Sequence, residues 1–141
     1  MKVRFAGSSN WIEGSDIKVA AGYIDGDGNR RDCSADDLAM FRIPTDPDLV
    51  LDDDFSALGS EDAYHAIGFH KSQLVEHAGD GRHVPPFVAH NAHTTHGHSG
   101  CPVFFNRRLV GIHVGLFSKS MRYLPTREEG ELAFLNSAVL V

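Results

Sequence analysis

The sequence predicts an all-β protein. Three observations carry this expectation. Apolar residues come in short runs, the runs are separated by Gly, Asp, Asn and Pro turn signals, and no stretch of helical length repeats its apolar residues at the helical period. The 141 residues suffice for one domain with its own core, and a hydrophobic share of 42% excludes a disordered chain. A formal net charge of −6 argues against non-specific binding to nucleic acid. No apolar run approaches the roughly 18 residues of a membrane span. Met1-Lys2-Val3-Arg4-Phe5 is not followed by the apolar core of a signal peptide. Two cysteines, Cys33 and Cys101, are too few for a disulfide framework and fit a reducing compartment, although the sequence leaves a bridge between them open.

Taken in order, Val3-Arg4-Phe5, Ile17-Lys18-Val19-Ala20 and Gly22-Tyr23-Ile24 read as strands joined by tight turns. Asp25-Gly26-Asp27-Gly28-Asn29 is a hairpin turn, because Asp-Gly tolerates the positive φ that such turns need. It also has the opening of a calcium loop, but the remaining ligand spacing and the terminal Glu are missing. Residues 36–44 form an apolar strand with an acidic start, closed by Pro44. Residues 45–62 are acidic and proline-marked and read as a connection between sub-domains. Ala63–His70 alternates as a strand, Gly79-Asp80-Gly81 is a turn, and Pro85-Pro86-Phe87-Val88-Ala89 leads into a loop dense in Thr, Gly and His. The apolar run 132–141 has no clean period; it fits a closing strand or a short helix and is read as a strand.

The most informative stretch is Gly97-His98-Ser99-Gly100-Cys101-Pro102, followed by Leu109-Val110-Gly111-Ile112-His113-Val114-Gly115. A serine hydroxyl needs a base beside it and donors for the oxyanion that its attack creates. Gly97 and Gly100 allow positive-φ geometry around Ser99, which aims the N–H groups of Gly97 and Ser99 at one point. Pro102 ends the turn, Val103-Phe104-Phe105 begins a strand, and the second segment returns His113 towards the serine. A nucleophile elbow of the α/β-hydrolase kind requires glycine where Cys101 stands.

These two segments resemble the nucleophile region of trypsin/chymotrypsin-like serine proteases, and most closely the viral polyprotein-processing proteases of the sobemovirus type. The resemblance covers roughly residues 3–115 by motif order. It implies a chymotrypsin-like double β-barrel with an incomplete first barrel: residues 1–50 are the remainder of the N-terminal barrel, 51–62 the interdomain connection, and 63–141 the C-terminal barrel with the nucleophile loop. It makes Ser99 the nucleophile, Gly97 and Ser99 the oxyanion-hole donors, and Asp37, within Asp36-Asp37-Leu38-Ala39, the orienting aspartate. Taken alone, the two carboxylates read equally well as loop residues. His113 and Thr94 match residues lining the S1 pocket, which implies cleavage after Glu or Gln, whereas His113 alone reads as a satisfied strand histidine. No cofactor is implied. The partner is a polypeptide substrate, a viral polyprotein, and the location is the host-cell cytoplasm as part of a larger polyprotein.

The general base departs from this pattern. The family places its histidine upstream of the aspartate, yet the first of the nine histidines here is His65. Three explanations compete: the base comes from an N-terminal segment or a second chain, which is the preferred reading, the domain is a catalytically inactive protease-fold module with a structural or binding role in a virus particle, or a different histidine serves. His90, His93, His96 and His98 invite a zinc reading with Cys101, but lie in a stretch without a helix to fix them on one face, so a polar loop beside the cleft is preferred and no metal site is assigned. His98 is not taken as the base, because the side chains of chain neighbours seldom converge.

Overall fold

Two small sheets and one large one make up the structure, a computed structural model that describes residues 1–4, 8–44, 62–124 and 135–141. β1 (Lys2–Val3) pairs with β2 (Ile12–Glu13), and β3 (Ser15–Val19) pairs with β4 (Ala39–Arg42), both antiparallel. The Asp25–Asn29 turn forms as expected. Asp25 Oδ1 accepts the N–H groups of Asp27 and Asn29 at 3.0 and 2.8 Å, and Gly28 takes φ +82°. Gly22-Tyr23-Ile24, expected as a strand, contributes only one bridge, Ile24 to Arg30. The backbone turns there instead: Tyr23 N–H donates to Ala20 O at 3.0 Å, and its phenol donates to Asp32 Oδ1 at 2.6 Å.

The large sheet contains β5 (Tyr64–His70), β6 (Gln73–Gly79), β7 (Gly81–Val84), β8 (Phe87–His90), β9 (Pro102–Phe105), β10 (Arg108–Leu116) and β11 (Asn136–Leu140). All its pairings are antiparallel, in the spatial order β6-β5-β9-β10-β11-β8-β7. Its hairpins use two-residue turns in the left-handed region, at Lys71 and Ser72 (φ 47° and 66°) and at Asn106 and Arg107 (φ 49° and 60°), whose twist suits adjacent antiparallel strands. β6 and β7 are the two edges of the sheet, yet only Asp80 separates them in the chain. A flat sheet cannot satisfy that connection, so the sheet curls into a half-barrel.

The two faces of the central strands feed two apolar clusters. Tyr64, Ala66, Val88, Val103 and Ala138 fill one, and Phe87, Ala89, Val114, Phe117 and Val139 the other. β8 and β11 are therefore covered on both sides, and all four residues of β8 have no exposed surface. This explains the missing period near the C-terminus, since a strand buried on both faces carries apolar residues at consecutive positions. A short helix, α1 (Phe117–Ser120), runs into a 3₁₀ turn (Met121–Tyr123). Its four residues are too few to print a helical period.

The fold is all-β, as expected. The acidic connection expected over 51–62 lies, apart from Asp62, outside the described residues.

The curl makes a glycine at the edge crossing obligatory. A Cβ on Gly79 would lie 2.4 Å from Ala92 N and 2.5 Å from Asn91 C, both backbone atoms, whereas a Cβ on Gly26 would meet nothing within 4 Å. Gly79→Ala should lower unfolding stability by about 2–4 kcal/mol in urea denaturation, and Gly26→Ala should stay within about 0.5 kcal/mol of the parent.

Candidate active site

The loop between β8 and β9 is built from two consecutive backbone turns. His98 N–H donates to Thr95 O at 3.1 Å and Cys101 N–H to His98 O at 2.9 Å. Gly97 and Gly100 hold φ +98° and +87°, and a Cβ at either would meet nothing within 4 Å. Glycine is thus required there by backbone conformation and not by crowding. Two further bonds fasten the loop to β10: Gly100 N–H donates to His113 O at 2.8 Å, and His113 N–H donates to Cys101 O at 2.9 Å. Ser99 stands exposed at the apex. The N–H groups of Gly97 and Ser99, on either side of His98, have no backbone acceptor among the described residues.

Ser99 opens onto a cleft of about 640 Å³. Ser99, Gly100 and His113 reach it from the large sheet, and Cys33, Asp37 and Phe41 from the N-terminal segment. Asp37 lies in the loop before β4, and its Oδ2 accepts the N–H of Cys33 at 2.7 Å. Cys33 holds φ +63°, and its Sγ donates to Val114 O at 3.5 Å. Gly115 makes that approach possible, because a Cβ there would fall 2.8 Å from the same sulfur. Burial first, and Asp37 second, push the Cys33 thiol up, so it is a neutral thiol at neutral pH. Both cysteines are free, and no bridge joins Cys33 to Cys101. Asp36, by contrast, is ion-paired with Arg31 at 3.0 Å and does not line the cleft.

The structure thus brings Ser99, Asp37 and His113 to one cleft, with Gly97 adjoining it in the loop. Thr94 is half-buried and is not among the cleft-lining residues. His113 is the one histidine that lines this cleft among the described residues. It lies on β10 directly opposite Ala138 of β11, just before a bulge that inserts Val114 and shifts the register to Gly115–Ser137. The bulge lets consecutive residues be buried, His113 against the Ala138 face and Val114 in the second cluster.

The dense histidine stretch is not a polar loop throughout. His90 closes β8 with no exposed surface, and His98 is 2% exposed. The His98 ring is turned away into the protein, against Gly68, where an added Cβ would lie 2.6 Å from its Cδ2, and Thr95 N–H donates to its Nδ1 at 3.0 Å. His93 stands edge-on to His77 with ring centroids 5.3 Å apart. Among the described residues, no group of three or more His, Cys, Asp or Glu side chains is arranged to hold a metal ion.

Reading the sequence missed Cys33 and His90. Positive φ at Cys33 leaves no mark in the residue type. The end of β8 at His90 was hidden because a strand buried on both faces shows no alternation. Comparison with protein families, with characterised proteins and with solved structures returns no match.

Burial pushes His90 down to about 3, with neighbouring His113 adding and the Ala92 backbone opposing. Burial pushes His113 down to about 4, with His98 adding and the Ser137 backbone opposing. Both are neutral in the folded protein while the unfolded chain takes up protons near pH 6.5. Stability is therefore full above that pH and is lost as pH falls towards 4. Each histidine should cost on the order of 2 kcal/mol between neutral pH and pH 5. Urea midpoints measured at both pH values should show the fall, and His90→Phe should remove about half of it.

Proposed function

We propose that this chain is a chymotrypsin-like serine endopeptidase domain that processes a viral polyprotein in the host-cell cytoplasm, cleaving after Gln or Glu. The observation that carries the reading is that Ser99, Asp37 and His113 line one cleft, next to a loop in which the N–H groups of Gly97 and Ser99 have no backbone acceptor among the described residues. In this reading the curled sheet is the C-terminal barrel and the strands of residues 2–42 belong to the N-terminal one. Ser99 Oγ attacks the scissile carbonyl, and the N–H groups of Gly97 and Ser99 hold the oxyanion. An imidazole placed in the cleft between Asp37 and Ser99 takes the hydroxyl proton and later passes it to the leaving amine. That imidazole comes from another segment or chain. His113 meets the P1 side chain, whereas Thr94, off the cleft lining, does not.

One observation favours a second reading, a binding module without catalysis. No histidine other than His113 lines the cleft among the described residues, and His113 is 4% exposed and held by its backbone to the serine loop.

A fluorophosphonate probe separates the two. If the site is catalytic, the full chain should label weakly at Ser99, and free imidazole should raise the labelling rate about tenfold or more by occupying the place of the base. Ser99→Ala should abolish labelling, and Asp37→Asn should remove most of the stimulation. No labelling at Ser99, with or without imidazole, leaves the binding-module reading in possession.

A further inference from the structure

Asp37 reaches the cleft from a loop that is stitched together from within. Arg31 N–H donates to Tyr23 O at 2.8 Å, Ser34 N–H to Arg31 O at 3.1 Å, and Asp37 N–H to Ser34 O at 3.1 Å. Asp36 N–H donates to the Oγ of buried Ser34 at 3.2 Å, and the Asp37 carboxylate accepts the Cys33 N–H. Consecutive turns of this kind tie Arg31, Cys33 and Asp37 into one unit. Whatever holds Arg31 therefore also holds the carboxylate.

Arg31 is held from outside that loop. Its Nη1 donates to Asp36 Oδ2 at 3.0 Å, and its guanidinium carbon lies over the Tyr123 ring, 4.8 Å from the centroid. The ion pair is seated against Gly22, where an added Cβ would fall 2.4 Å from Asp36 Oδ2. Tyr123 belongs to the other half of the molecule. It ends the 3₁₀ turn that follows β10 and α1, and its neighbours Met121 and Leu124 pack against the second apolar cluster. Arg122 lies over the same ring at 5.4 Å, with its Nε donating to Lys119 O at 3.0 Å. A planar guanidinium donates through its edge while it stacks through its face, and an ammonium does not. Arg31 uses both, the edge for Asp36 and the face for Tyr123. Neither Arg31 nor Tyr123 lines the cleft.

We propose that Arg31 and Tyr123 are positioning residues: their stack docks the Asp37 loop on the large-sheet half and so sets where the carboxylate stands across the cleft from Ser99. The orienting role of Asp37 rests on the protease reading of the cleft, whereas the docking does not. The stack works beside two other contacts, Ala35 against the second apolar cluster and the Cys33 sulfur on Val114 O. Losing it frees the loop and leaves the serine loop in place, because the backbone bonds of Gly100 and Cys101 to His113 do not involve residues 31–37. Cys33 is then the natural reporter. It is half-buried while its sulfur rests on Val114 O, and it becomes more accessible when the loop lifts. Cys101, buried in the serine loop, is the internal control.

The test compares the full chain with Tyr123→Leu, Tyr123→Phe and Arg31→Lys, none of which changes the net charge. The first readout is the rate at which iodoacetamide alkylates Cys33, followed by peptide mass. Tyr123→Leu and Arg31→Lys should each raise it about fivefold, the loss of one half-buried cation–π contact, and Tyr123→Phe, which keeps a ring face, should match the parent. The rate at Cys101 should not move in any of them. The second readout is fluorophosphonate labelling of Ser99. The rate without imidazole should stay the same, while the imidazole concentration that gives half the stimulation should rise about fivefold in Tyr123→Leu and return in Tyr123→Phe. An unchanged Cys33 rate in both Tyr123→Leu and Arg31→Lys, or an equal rise at Cys101, overturns the docking. A raised Cys33 rate with the same imidazole dependence overturns the positioning of Asp37. A raised Cys33 rate in a chain whose Ser99 never labels supports the docking and sinks the protease reading instead.

Discussion

The two hydrogen bonds between the serine loop and β10 are the constraint on which the rest of the site depends. Gly100 N–H to His113 O, and His113 N–H to Cys101 O, fix the apex of a loop to the middle of a strand that is itself paired on both sides. A loop with free ends would leave Ser99 mobile. Stitched to β10, it inherits the rigidity of the sheet, and the same stitching orders the backbone of His113. Position is thus supplied by backbone pairing and makes no use of the side chains of Ser99 and His113.

The curl of the sheet supplies the second requirement, an interior that water does not reach. Because β6 and β7 are joined through Asp80 alone, the sheet must bend round the Tyr64, Val88 and Ala138 cluster. β8 and β11 then have both faces covered. His90 and His113 are buried by that geometry, and burial is what keeps their rings neutral. Further out, the N-terminal segment contributes polar atoms to the cleft with little apolar anchoring: every residue of β3 and β4 is exposed, including Ile17, Val19 and Met40. Its link to the sheet near the cleft runs through Cys33, whose sulfur rests on the carbonyl of Val114 and against Gly115.

How much of this was legible follows from what each residue type reveals. Asp25–Asn29 announces its turn because Asp-Gly chemistry is local, and Asp25 caps two N–H groups within its own loop. Gly97 and Gly100 announce theirs for the same reason: the conformation is demanded by the backbone alone, with open space where a Cβ would be. β5 was legible from the alternation of Ala63–His70, and β9 because Pro102 ends the turn before an apolar run. By contrast, pairing β11 between β10 and β8 depends on residues far apart in the chain, and no local pattern encodes it. The same holds for Cys33 against Val114. His90 was misplaced in a polar loop because periodicity cannot separate a doubly buried strand from a neutral run of mixed residues.

The cleft therefore has an asymmetric construction. The half built by the large sheet is over-determined: hydrogen bonds, two obligatory left-handed glycines and a bulge all fix the same few atoms. The half built by residues 32–41 is tied within the N-terminal segment by the Asp37 carboxylate to Cys33 N–H, by Asp37 N–H to Ser34 O and by the β3–β4 pairing, and it meets the sheet through the Cys33 sulfur at Val114 O and through Ala35 against the second apolar cluster. An orienting carboxylate needs rigidity only relative to the group it orients, and Asp37 is fixed relative to Cys33 rather than to Ser99. Under the proposed reading, an imidazole seated between Asp37 and Ser99 would touch the carboxylate on one side and the hydroxyl on the other.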